Sequence, residues 1–444
     1  MDYKTLTHDL VEKALKAGAD AAEVYLETAR RLSIQVQDGD LETIEEASTA
    51  GIGFRVLAGG RLGFSHCNDL SGKAPEETLR QAVAYARLTT PDENNVLPEA
   101  FEPAEVGGLF DPAIAFVSME EKIRLALAAE KEALAREGIT KSAGAGYGEG
   151  EEELYIANSN GLQVQMKSAG CSLGVSVVAE KDDQKNSGAE YASRRFFADL
   201  PAPELLDRQA ALKALRLLDP VMIPTQRASV IFDAEEAFSL LGGLLAALNG
   251  ERVLQGASYL KNALGSSIAA PLLTLVDDGR KPRGMGSTPF DGEGVATQKR
   301  TLVEKGVLRG FLYNTITARR AGVESTGNAA RGGFTELPGI GTHNLYAEPG
   351  IHTPAGILQA TRRGLLVLEV TGYGINPVTG NFSGGASGLW IENGEIVHPV
   401  RGVTIAGNAA DILNAIDMMG NDLDPFRTMA APTFRVAEMQ IGGK

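Results

Sequence analysis

Residues 287–327 read STPFDGEGVATQKRTLVEKGVLRGFLYNTITARRAGVESTG, and the order of local signals in this stretch sets the fold class. An acidic loop comes first. Asp291 and Glu293 alternate with Gly292 and Gly294, and glycine admits backbone angles and close approaches that other residues resist. Gly306 then falls between the apolar pairs Leu302-Val303 and Val307-Leu308, which predicts a β-hairpin turning at Glu304-Lys305-Gly306. A helical turn carrying Arg319 and Arg320 is predicted from Thr315 to Ala321.

The mixture extends outward. From residue 222 to the end, strands are predicted at 229–232, 272–277, 301–313, 365–371, 388–392 and 432–441, and helices at 234–249, 252–263, 355–361 and 409–419. Upstream, apolar residues recur at helical spacing over 6–17, and Gly18 supplies the stop. Apolar-polar alternation predicts strands at 24–26, 32–37, 51–56 and 62–65, with a helix over 75–88 closing a first unit (1–90). Residues 91–117 read as a linker rich in Pro, Glu and Asn. A second unit (118–221) opens with Ser118 and Glu121 at capping-box spacing. Its predicted strands lie near 154–157, 162–167 and 171–178, followed by a polar loop at 180–187 and a helix over 203–218. No repeat of fixed period is visible. The prediction is an α+β chain, an α/β N-terminal region followed by a large β-rich C-terminal domain.

Further segments fall in a recognisable order: GIGFRVLAGGRLG (51–63), NSNG (158–161), NAARGG (328–333), GTHNLYAEPG (341–350), GYGINPVTGNF (372–382), GGASG (384–388), WIENGEI (390–396) and TIAG (404–407). Together they make the chain resemble the TldD/PmbA family over nearly its whole length, and in particular its TldE (PmbA) branch. The resemblance implies the family's fold. For the family's catalytic branch it implies a metalloprotease site in which an H-E-x-x-x-H helix and a later Cys supply the ligands. Two histidines on one helical face and a carboxylate beside them are what such chemistry needs.

This chain lacks that set. His8, His66, His343, His352 and His398 are scattered, and the helix at the corresponding place (234–249) carries Leu240, Leu241, Gly242 and Gly243. Tyr373 stands where the family places the thiolate. The expectation is a non-catalytic subunit with no catalytic residue, metal or cofactor of its own, paired with a TldD-like subunit that brings zinc or iron. The resemblance further implies unfolded peptides as substrates, including antibiotic-peptide precursors and antitoxins. Two alternatives stay open. One is a homodimeric metallopeptidase using Asp277, Asp278 and Glu293; the other is a non-enzymatic regulator of the gyrase-modulator kind.

Charge and composition narrow the setting. With 57 acidic against 42 basic residues the chain carries a formal charge of −15, which repels phosphate backbones and argues against direct nucleic-acid binding. Two cysteines argue for a reducing cytoplasm. The first ten residues lack a signal-peptide pattern, and no apolar run is long enough to span a bilayer.

Candidate peptide- or partner-binding residues are Asn328, Arg331, Tyr373, Ser383 and Ser387. Arg331 sits between Ala330 and Gly332, where short neighbours are expected to leave its guanidinium unobstructed for a carboxylate or a partner chain. Ser383 and Ser387 lie in SGGAS, which has neither a Walker lysine nor a G-x-S-x-G frame, so close backbone packing is its simpler reading. Asp277, Asp278, Asp291 and Glu293 read as solvated turn residues, and His343 as a hydrogen-bonded structural histidine.

Overall fold

A computed structural model of the chain describes residues 2–372 and 374–444. Its N-terminal half is a single layer built twice. Helix α1 (Tyr3–Lys16) is followed by strands β1 (Ala21–Gln37), β2 (Asp40–Ala58) and β3 (Arg61–Cys67) and by helix α2 (Ala74–Ala86). The order then repeats with α3 (Met119–Leu134), β4 (Ile139–Asn158), β5 (Gln163–Lys181), β6 (Gln184–Arg194) and α4 (Pro203–Leu215). The six strands form one antiparallel sheet in the order β3-β2-β1-β4-β5-β6. β1 and β4 pair at its centre from Glu23 with Asn158 to Val36 with Ala145. The two N-terminal units are therefore mirrored halves of one sheet.

The mirror extends to packing. Gly63 on β3 lies under α2, and Gly188 on β6 lies under α4. A Cβ on Gly63 would collide with the carbonyl of Ala82 and the amide of Ala86, and one on Gly188 with those of Ala210 and Ala214. Both helices thus rest directly on strand backbone, and their apolar faces cover one face of the sheet. Under α1 and α2 lie Val24, Leu26, Phe54 and Val56; under α3 and α4 lie Ile34, Tyr147, Leu173 and Val175.

Several local expectations are corrected. The strands predicted at 24–26 and 32–37 are parts of β1, which stays paired to β2 along its length. The polar loop at 180–187 is a hairpin instead, turning at Asp182 with φ 52° between β5 and β6. Ser118 caps α3 by accepting from the Glu121 amide at 3.2 Å, while the Glu121 side chain pairs with Arg124. Helix 252–263 shortens to Gly250–Leu254 because Gly256 turns left-handed (φ 71°). The 409–419 helix ends at Asn414, and Ile416–Met419 joins a sheet.

The outer edge of β2 is only partly covered. β3 pairs with it from Ile52 to Ala58. From Asp40 to Thr49 every residue of β2 is exposed, on both faces of the sheet.

Among the described residues the C-terminal part holds two large sheets and a two-stranded ladder of Ala329–Ala330 with Gly339–Ile340. Six strands run in the order Glu395–Asn408, Asn381–Glu392, Arg363–Thr371, Gln226–Phe232, Phe434–Gly442, Ile416–Met419, and five shorter ones pack nearby around Leu275–Asp278. Helix α5 (Ala237–Ala247) buries Leu240, Leu241 and Leu244 in a core that includes Phe232 and Leu365 of the larger sheet and Leu275 and Leu302 of the smaller. That is an α+β architecture with a β-rich C-terminal domain.

Candidate functional site

The acidic loop quoted first proves to be the meeting point of the two halves. Asp291 and Glu293, and Asp277 and Asp278 on the strand Leu275–Asp278, are buried rather than solvated. Glu293 Oε1 accepts from Arg55 Nη1 at 2.7 Å, and Arg55 Nη2 donates to Glu23 Oε2 at 2.5 Å. Glu23 and Arg55 belong to β1 and β2, so this chain of charges crosses from the N-terminal sheet into the C-terminal domain. Arg331 completes it. Its guanidinium pairs with Glu23, donates from Nε to the Gly292 carbonyl at 2.7 Å and lies 4.7 Å from the Tyr25 ring centroid. The Arg331 side chain is 1% exposed, so the expected open guanidinium is instead enclosed. Glu23 and Tyr25 of β1 in the N-terminal sheet lie against it.

Asn328 has the same character. It is buried and donates to Asp277 Oδ2 at 2.7 Å and to the Gly341 carbonyl at 3.1 Å. The His343 amide donates to Asp277 Oδ1 at 2.8 Å, and the His343 ring meets the Gly327 carbonyl at 2.7 Å, as expected of a structural histidine. Asp277 and Glu293, two members of the proposed carboxylate site, are thus already engaged by separate protein partners. Among the described residues no three His, Cys, Asp or Glu side chains gather as a metal set.

Ser383 is exposed and Ser387 half-buried, both on the strand Asn381–Glu392. The bonds that hold Asn328 and Arg331 involve neither serine. The glycines between and after them bring backbones together: a Cβ on Gly388 would strike the Leu366 carbonyl, and one on Gly384 would lie 3.1 Å from Val370 Cγ1. Tyr373 lies outside the described residues. Its flanking segment nevertheless meets α5. A Cβ on Gly243 would lie 2.5 Å from the Ile375 amide nitrogen, and one on Gly374 would lie 3.1 Å from the Ser239 carbonyl. Helix and loop are adjacent, as a shared metal site requires, but α5 brings aliphatic carbon and a glycine contact to that junction. These residues do not fit a metal ion.

Burial shapes the titration of the interdomain charges. Burial raises the Glu23 carboxyl, but Arg331 and Arg55 outweigh it and hold Glu23 below its ordinary value. Asp291 goes the other way. Burial, then the charge of Glu293, pushes it up to about 7, against three backbone amides of Glu293, Val295 and Ala329 that it accepts from. Burial also raises Asp277, Glu27 and Glu152. A carboxyl raised on folding stabilises the fold below its unfolded value, and that contribution is lost as pH climbs through the folded one. A lowered carboxyl loses its contribution as pH falls. Stability is therefore expected to decline as pH climbs toward 7 and Asp291 ionises, and to fall on the acid side, below the ordinary carboxylate range, as Glu23 protonates. Urea titrations across this range should show the decline above pH 5 reduced in Asp291→Asn by at least about 1.4 kcal/mol, the worth of one pKa unit.

A cavity of about 740 Å³ opens beside this junction, between the N-terminal sheet, the 95–101 linker and the helix Thr315–Ala321. Leu57, Leu97, Val295 and Ala318 line it, and Arg319 stands at its wall. Arg320 is turned to Asp92 on the linker at 2.5 Å. The charges missed in the sequence, Glu23 and Arg55, had one visible signal: each is a lone charge inside an apolar strand, AAEVYL and GFRVL.

Comparison with known proteins agrees with this geometry. Models of PmbA/TldA metallopeptidase domain 1, central domain and C-terminal domain match residues 22–86, 112–218 and 225–443. The chain is 32% identical to the metalloprotease PmbA of Escherichia coli O157:H7 over 99% of its own length and 97% of the relative's. It is 25% identical to a metalloprotease TldD homolog of Haemophilus influenzae, covering 90% and 86% of the two chains. Among solved structures, TldE from Thermococcus kodakarensis superposes with a TM-score of 0.88 at 27% identity, covering 98% of this chain and 99% of that one. A protein from Bacteroides thetaiotaomicron, proposed as a modulator of DNA gyrase, superposes with a TM-score of 0.92 at 28% identity over the full length of both chains.

Proposed function

The chain belongs to the TldD/PmbA metallopeptidase family, and from that premise we propose that it is the family's non-catalytic, TldE-type subunit, working beside a TldD-like subunit that holds zinc or iron. The observation that carries this reading is helix α5. Where the catalytic branch of the family needs two imidazoles and a carboxylate, α5 offers Leu240, Leu241, Gly242 and Gly243, with the leucines buried and Gly243 packed on Ile375. The subunit's task is to complete the chamber in which unfolded peptides are cleaved, in the cytoplasm. The metal and the water-activating base come from the partner. The gyrase connection borne by one relative's name is then a contact between proteins, since a chain with a net charge of −15 repels DNA.

Reconstitution tests it. The purified chain is expected to hold no stoichiometric zinc or iron and to leave unfolded peptides intact. Mixing it with a homologue from the same genome that keeps H-E-x-x-x-H should give cleavage that a chelator stops. One tightly bound metal per chain after dialysis would overturn the reading. So would cleavage by this chain alone that survives a chelator and disappears on replacing Ser383 or Ser387.

A further inference from the structure

The uncovered edge of β2 has a counterpart in the same molecule. In the mirrored half β5 takes the place of β2, and β6 pairs with it only from Cys171 to Lys181. The remainder of the outer edge of β5 is engaged at Ala169. The Ala169 amide donates to the Leu109 carbonyl of the linker at 2.9 Å, and the Ala169 carbonyl accepts from Arg195 at 3.1 Å. On β2 the corresponding edge, from Leu41 to Ala50, pairs with no strand among the described residues, and Phe334 packs on the next residue, Gly51. One half of the duplicated sheet therefore receives a linker carbonyl on this edge where the other half has no such backbone partner.

The bare edge has a definite chemistry. Residues 40–51 read DLETIEEASTAG, with four carboxylates and no basic residue. Leu41 and Ile44 are 45% and 42% exposed. Every residue from Asp40 to Thr49 is exposed, so no shaped surface exists there to recognise a folded body. What the edge offers is a row of unpaired amides and carbonyls roughly 35 Å long, flanked by negative charge. A second copy pairing antiparallel on the same edge would set carboxylate against carboxylate, which is destabilising.

We infer that the outer edge of β2 from Leu41 to Ala50 captures an extended polypeptide segment rich in lysine or arginine and small apolar residues, by strand addition. The inference rests on the peptide-handling function proposed above and names the class of peptide handled. Backbone pairing holds the segment, and Glu42 and Glu45 select its charge, since Glu46 is already paired with Arg30 of β1 at 2.7 Å.

Hydrogen exchange on the full chain, without any partner, tests the capture separately from the subunit role. The probes are two blocked peptides of alternating pattern, one Lys-Val-Thr-Val repeated and one with Glu in place of every Lys. The lysine peptide at millimolar concentration is expected to slow exchange within residues 41–51 several-fold and the glutamate peptide to leave it unchanged. The double variant Glu42→Gln, Glu45→Gln should bind the lysine peptide about threefold more weakly, as expected of two exposed charge pairs. Its exposed positions predict an unchanged thermal melt. Equal protection by both peptides, no protection at residues 41–51, or undiminished binding by the double variant would overturn the inference. Protection that rises with protein concentration alone would assign the edge to a second copy. Protection conferred by a folded TldD-like homologue but by neither peptide would assign it to the subunit contact.

Discussion

Replacing Arg331 with Ala is expected to lower the unfolding free energy by about 3–5 kcal/mol, the usual result of removing one partner from a buried ion pair. The Arg331 guanidinium pairs with Glu23, whose side chain is fully buried, and it also satisfies the Gly292 carbonyl. Without it Glu23 keeps only Arg55, which Glu293 already shares. The loss is a large share of the 5–15 kcal/mol that typically holds a domain together. Arg331→Lys should fall between the two, since an ammonium restores the charge but not the planar fork that reaches Glu23 and Gly292 together. Urea denaturation measures both. A loss under about 1 kcal/mol in Arg331→Ala would mean that the guanidinium is free to serve a peptide, as its glycine-rich neighbourhood suggests in the sequence.

Gly63→Ala and Gly188→Ala are expected to destabilise by about 3 kcal/mol each, the upper end of overpacking costs. At each site the added methyl meets the backbone of a helix, which cannot rotate away as a side chain can. Helix and strand must separate, and the apolar face beneath α2 or α4 loosens with them. The comparison variant is Gly310→Ala, where nothing lies within 4 Å and a change of no more than about 0.5 kcal/mol is expected. Thermal melts of the three variants decide it. Unequal losses at positions 63 and 188 would show that the two halves of the sheet do not share one packing rule.

Local chemistry was legible in the sequence, and long-range placement was not. The hairpin at Lys305-Gly306, the Ser118 cap and the first helix depend on residues a few positions apart, and each appears where expected. The union of the first two units into one sheet depends on β1 meeting β4, more than a hundred residues later, and no local signal records it. The duplication escaped for a related reason, because the two halves share topology and glycine placement without a fixed sequence period. Arg331 was misjudged because the residue that encloses it, Glu23, lies 308 positions away. The acidic residues of the 291–294 loop were misjudged likewise: glycine neighbours advertise a turn but do not say whether that turn faces water or another domain. The aliphatic character of α5 needed no structure, since a missing imidazole is visible in the letters themselves.

The central pairing of β1 with β4 also orders events during biosynthesis. A nascent chain that has released β1, β2 and β3 from the ribosome can close that hairpin and meander at once, but the inner edge of β1 stays bare until Ile139–Asn158 has emerged. At translation rates of roughly 5–20 residues per second the delay is of the order of ten seconds. Throughout it, a strand that will occupy the middle of the sheet is a sticky, half-finished border, open to wrong partners. The Glu23 side chain waits longer still, with Arg55 at hand but Glu293 and Arg331 not yet made. The first third of the protein is thus synthesised as an incomplete body whose final buried charges arrive last.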